Sequence, residues 1–267
     1  MNYQTTHRAA AAALVVAAVT MIGACGPAAD DAGAKSAQSA GPSPVEAKDA
    51  FDGLTGPQIS DRARAAIKSV TSMRVVGDAP DGDGGTLAVN MAMDAKGSCR
   101  GTISRAQAGT VEVIKTGDVV FMKGDEEFWR ESLATMKRSA KQTDATVEII
   151  KGRWMKVDQK TATAMARGDM CDLEAISNKL GEGSSVETTT RGADVTHAGQ
   201  ALAVVYDRDG YEVTTVHVAK TGKPYPVEIA TTGGTEAGSI KLSEFDKPVD
   251  TTPPPADQIL DPSKLRR

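Results

Sequence analysis

Thr86-Leu87-Ala88-Val89-Asn90-Met91-Ala92-Met93-Asp94 is the stretch on which the reading of the fold turns. Leu87, Val89, Met91 and Met93 fall on one side of an extended chain, and Thr86, Asn90 and Asp94 on the other. A period of two with one apolar side is the mark of a half-buried strand. The same pattern continues outward. Ser72 to Gly77 precedes it, and Ser98 to Arg105, Gly109 to Thr116 and Asp118 to Lys123 follow. The last three are separated by glycine or polar turns of a few residues, the spacing of an antiparallel meander. The Asp78–Gly85 segment between the first two strands has aspartates at alternating positions. No glutamate stands where a calcium loop needs one, so it reads as a turn and no metal is expected.

Upstream, Gln58 to Val70 has helical spacing, with Ala63, Ala66, Ile67 and Val70 on one face and Ser60 as the expected N-cap. Downstream, Glu126 to about Ser139 predicts a second helix, and a short helical turn is expected near Val147 to Ile150. Trp154 to Val157 reads as a strand end, and Asp169 to Leu180 as a third helix stopped by Gly181. The C-terminal half returns to strands over 185–190, 193–197, 201–207, 211–219, 226–231 and 238–245, after which Pro253 to Pro255 ends the sheet. There is no βαβ rhythm, which disfavours a parallel sheet. The fold class expected is α+β: a curved antiparallel sheet covered by helices.

The N-terminus carries a different message. Arg8 is the only full charge before Cys25, and Ala9 to Met21 contains only Ala, Val, Leu, Thr and Met. That run suits a signal-peptide core and falls short of the roughly 20 residues that span a bilayer. It ends at Ile22-Gly23-Ala24-Cys25, followed by Gly26-Pro27, and resembles the lipobox of a bacterial prolipoprotein. The resemblance implies that residues 1–24 form the signal peptide and that Cys25 is the lipidation site, acylated as with palmitate and held at the extracytoplasmic face of the cell membrane; the alternative is an ordinary secretory signal cleaved nearby, with Cys25 incidental. Residues 25–56, rich in Ala, Gly, Ser and Pro, read as a flexible tether. Residues 57–260 are the folded domain and 261–267 a tail.

Composition narrows the function. Without the signal segment the chain has 30 basic against 35 acidic residues, a charge of −5, which argues against nucleic acid and against electrostatic attraction to anionic lipid. Aromatics are 4%, so the core must be aliphatic and methionine-rich. Eight Met lie between Met73 and Met170; they serve as core filler or line an adaptable apolar pocket. Cys99 and Cys171 are an even pair in an exported protein, which reads as a disulfide, with two separate buried thiols as the alternative.

Enzymatic chemistry finds little support. After the signal segment only His197 and His217 remain, both in strand contexts. No metalloprotease, nucleophile-elbow or phosphate-loop string occurs. Asp125, Glu126 and Glu127 sit where acids complement a helix N-terminus. We expect no enzyme, no catalytic residue, no cofactor and no nucleic-acid partner.

Met93-Asp94-Ala95-Lys96-Gly97-Ser98-Cys99-Arg100-Gly101 is followed by Val111 to Lys115, Val120 to Lys123, Trp129, Gly152 to Val157, Cys171-Asp172-Leu173, Tyr225-Pro226 and Pro254 to Asp257. In this order they resemble the actinobacterial lipoproteins of the LppX/LprG type, which are similar in fold to the LolA/LolB carriers. The resemblance spans roughly Thr55 to Leu260. It implies an incomplete β-barrel of about eleven strands with helices plugging the concave side and an apolar cavity for lipid or glycolipid acyl chains. The candidate lining positions are Leu87, Val89, Met91 and Met93, with Val120 and Met122, and Leu173 and Ile176 on a covering helix. The alternative is a sensor or regulatory module of the same fold that binds a membrane protein partner, with its cavity small or filled.

Overall fold

A computed structural model of the chain describes residues 49–81, 84–134, 138–166, 171–181, 188–234 and 237–261. The signal segment, Cys25, most of the expected tether and the tail from residue 262 lie outside them. In chain order the first half holds α1 (Gly56–Lys68), β1 (Ser72–Pro80), β2 (Thr86–Asp94), β3 (Cys99–Arg105), β4 (Gly109–Thr116), β5 (Val119–Gly124), α2 (Glu126–Ala134), α3 (Ala140–Ile150), β6 (Trp154–Asp158) and α4 (Gln159–Ala166). The second half holds α5 (Leu173–Gly181), β7 (Thr189–Arg191), β8 (Val195–His197), β9 (Gln200–Asp209), β10 (Glu212–Ala219), β11 (Pro226–Thr232), β12 (Gly238–Ser243) and β13 (Ile259–Leu260).

All the strands join one open sheet in the order β13-β6-β5-β4-β3-β2-β1-β12-β11-β10-β9-β7, with β8 also on β9. Every pairing is antiparallel except the two-residue β13–β6 edge. The α+β half-barrel class stands, with 13 strands among the described residues where about eleven were expected. Register aligns Val75 with Met91, Met91 with Gly101, and Gly77 with both Val89 and Ile240. Because paired residues share a face, the concave side is set from β12 through β3. Gly77 (φ +147°) and Gly101 hold strands in close approach: a Cβ would lie 2.1 Å from the Ser239 carbonyl oxygen in one case and 2.0 Å from the Asn90 carbonyl oxygen in the other. Such glycines let a sheet coil and neighbouring backbones approach closely.

The helices α2 and α3 pack together over the β4–β5 side, where Trp129, Leu133 and Val147 are buried with Val113, Val120 and Met122 in the main core. Asp125 is the N-terminal cap of α2, its carboxylate accepting from the amides of Phe128 (2.8 Å) and Thr110 (2.7 Å). Cys99 and Cys171 form a disulfide with Cα atoms 5.4 Å apart, tying the chain just before α5 to the start of β3.

Several boundaries differ from those expected. Helix α1 starts earlier than Gln58, because Thr55 and Gln58 form a capping box and Pro57 opens the first turn; Ser60, the expected cap, lies inside the helix. The region expected as one helix to Ser139 plus a short turn contains α2 and a separate full helix α3, capped by Ser139 with Gln142. Helix α4 was not expected; Asp158 accepts from the Thr161 amide at its start. The tether to residue 56 is shorter at its end: Phe51 is 1% exposed and packs with Ile59, Ala203 and Val218. Arg191 donates to the Phe51 and Leu54 carbonyls (2.7 and 3.0 Å), and Lys220 pairs with Asp49 at 2.6 Å. Pro253 to Pro255 does not end the sheet. Pro254 is buried, the Arg100–Asp250 and Lys156–Asp261 pairs hold this segment to β3 and β6, and β13 closes the edge.

Candidate functional site: an apolar hollow on the concave face

Among the described residues, the helices leave part of the concave face uncovered. Between β11, β12, β1, β2, β3 and α5 lies a cavity of about 450 Å³. Its inner end is made by Val75, Met91 and Met93, all buried. Toward the β1–β2 hairpin the lining becomes half-buried, through Val89, Ile103, Ile229 and Ile240 to Leu87, Ala79 and Pro80. Helix α5 forms the remaining wall with Ile176, Lys179 and Leu180. Its start is fixed by the disulfide and by Asp172, whose carboxylate accepts from the Ala175 amide at 2.9 Å.

Of the eight lining candidates, Leu87, Val89, Met91, Met93 and Ile176 come together around this cavity. Val120, Met122 and Leu173 do not: they are 3%, 0% and 3% exposed and belong to the packed core. Alternation shows that Val120 and Met122 share a face but not which face is concave, and Met122 is paired with Val113 and Met155 beneath the helices. Ile103, Ile229 and Ile240 were missed as lining. Each sits in a strand the sequence reveals, and register alone brings them beside Val89 and Gly77.

The space has the chemistry of a container. Its lining is aliphatic or thioether, with a few polar groups toward the rim. Pockets of about 300–1,000 Å³ hold small-molecule ligands, and apolar cavities are hospitable to apolar guests. The two histidines lie elsewhere: His217 Nδ1 is 3.6 Å from Glu228, and His197 is exposed at the β8–β9 turn.

No family model matches the chain, and no curated protein does. Solved structures similar to it include the lipoprotein LppX from Mycobacterium tuberculosis (12% identity, TM-score 0.45, covering 73% of this chain and 99% of that one). LprF from Mycobacterium bovis is similar at 14% identity and TM-score 0.48, covering 74% and 96%. A LolA superfamily protein from Nitrosomonas europaea is similar at 7% identity and TM-score 0.24, covering 73% and 94%.

Proposed function

We propose that this chain is a lipid-binding module of the cell envelope, anchored at the extracytoplasmic face through Cys25, that shelters an acyl chain of a lipid or glycolipid in the hollow bounded by β11, β12, β1, β2, β3 and α5. The observation that carries the proposal is the volume and lining of that hollow: about 450 Å³ with an apolar inner end and α5 as its outer wall. This supports the lipid reading over a partner-binding regulatory module, which needs no cavity of several hundred Å³.

The energetics fit the role. Each buried methylene contributes about 0.8 kcal/mol, so ten contribute roughly 8. Association costs about 4 kcal/mol or more in lost freedom. One chain therefore binds weakly enough to be exchanged, and firm capture requires a second chain or contacts to the headgroup. No reaction and no cofactor enter this account; the protein desolvates a chain and releases it.

The test is titration with a fluorescent acyl-chain probe, with unlabelled fatty acid as competitor. Saturable binding that Val89→Trp abolishes is expected. Binding unaffected by a tryptophan at that position would contradict the proposal.

A further inference from the structure

The concave face continues past Ile229 into a second chamber of about 560 Å³, bounded by α1, α5, β9, β10 and β11. The two chambers are neighbours: Lys179, Leu180 and Ile229 line both. The Thr231 hydroxyl in the first and the Thr214 hydroxyl in the second are 2.9 Å apart. Across that boundary the chemistry changes from aliphatic to polar.

The second chamber presents Asp207, Asp209 and Glu212. Asp209 stands opposite Glu212 in the β9–β10 register, a pairing of like charges that is unfavourable on its own. Asp207 is partly buried, and its Oδ1, closed off from solvent, has no hydrogen-bond partner within the protein. Among the described residues that line it, the cations are Arg64, which pairs with Asp61, and Lys179. Carboxylates of this kind accept hydrogen bonds from hydroxyl groups, and they oppose a phosphate or a carboxylate brought among them.

We infer that this chamber takes the headgroup of the amphiphile whose chain occupies the apolar hollow, and that the headgroup is rich in hydrogen-bond donors and free of negative charge, as a sugar or polyol is. The inference rests on the acyl-chain reading and adds selectivity to it. The chain supplies affinity; the carboxylates select the headgroup by accepting its hydroxyl protons and repelling anions.

Two probes with the same twelve-carbon chain separate the terms: dodecyl maltoside and dodecanoate. Each is titrated below its micellar concentration into the full chain near neutral pH and followed by calorimetry. The wild type should bind the maltoside about tenfold more tightly, a difference within reach of a few hydrogen bonds and one repulsion. The double variant Asp207→Asn with Glu212→Gln should lose most of that ratio, weakening the maltoside and strengthening dodecanoate, and Asp209→Asn, at an exposed position, should move it the same way. Val89→Trp should abolish binding of both probes. Equal wild-type affinities, or a ratio unchanged in both carboxylate variants, would overturn the headgroup inference and leave acyl-chain binding standing. If neither probe binds the wild type, the acyl-chain reading fails and the inference falls with it.

Discussion

The β1–β3 side and the β4–β6 side of the concave face are built from the same kinds of residue and end differently. On the β4–β6 side Val113, Val120 and Met122 lie under α2 and α3, with Trp129 and Leu133 filling the space above them. On the β1–β3 side Leu87, Val89 and Ile103 face a hollow. A bulky aromatic, Trp129, plugs one half, while the other half keeps a cavity above its aliphatic and methionine side chains. What a strand's inner face does is therefore decided by what is laid over it. The covered half is packed core, and the open half holds the cavity.

The comparison can be broken from its stable side first. Trp129→Ala should cost about 3–5 kcal/mol, as large-to-small changes in packed cores do; urea unfolding reads it, and a cost near zero would mean that the covered half is not the core. Replacing Cys99 and Cys171 together by Ser should cost about 4 kcal/mol for a closed loop of this length. Because the disulfide secures the start of α5, the wall of the hollow, this variant should also weaken acyl-probe binding, whereas Trp129→Ala acts on folding.

A smaller effect is expected where β1 begins. The Asp246 carboxylate accepts from Lys223 Nζ (2.7 Å), the Tyr225 hydroxyl (2.6 Å) and the Thr71 amide and hydroxyl (both 3.0 Å). The Lys223 bond first, then those from Tyr225 and Thr71, hold its pKa well below the ordinary carboxylate range. A depressed carboxyl stabilises the fold above its unfolded pKa of about 3.9 and loses that contribution as pH falls toward its folded value. Asp246→Asn should cost about 1–3 kcal/mol at neutral pH, and the gap from wild type should close below about pH 4. A gap independent of pH would contradict this account. Smallest of all, Val89→Ala should change stability by less than about 1 kcal/mol, since a half-exposed position loses little packing, while still lowering acyl-probe affinity. A stability loss as large as that of Trp129→Ala would erase the distinction between the halves.

Much of this architecture is legible in the chain because alternation is local. Residues 86–94 of β2 and 109–116 of β4 fall within the strands as read, and five of the eight lining candidates surround the hollow. Coverage is not local. Nothing within Val119 to Lys123 says that α2 and α3 will lie above them, so Val120 and Met122 could not be separated from Met91 and Met93. Other features carry a readable local signal. Thr55-Gly56-Pro57-Gln58 and Ser139 with Gln142 are capping boxes, and Phe51, a bulky aromatic amid small residues, marks where the tether gives way to packed structure. The two-residue β13 has no periodicity to read; its pairing to β6 is set by the segment that leads into it. The polar chamber has no local signal either, because Arg64 and Asp207 lie far apart in the chain and line one cavity only through the placement of α1 against β9.

The central claim is that the open half of the concave face is a ligand chamber. Native mass spectrometry on the protein purified gently from envelope membranes tests it most directly, comparing the wild type with Ile240→Trp, inside the hollow, and Val195→Trp, on the exposed β8. The account predicts lipid-mass adducts on the wild type and on Val195→Trp, and their loss from Ile240→Trp. An adduct-free wild type that stays so after incubation with host lipid extract, or adducts that persist when the hollow is filled, would contradict it.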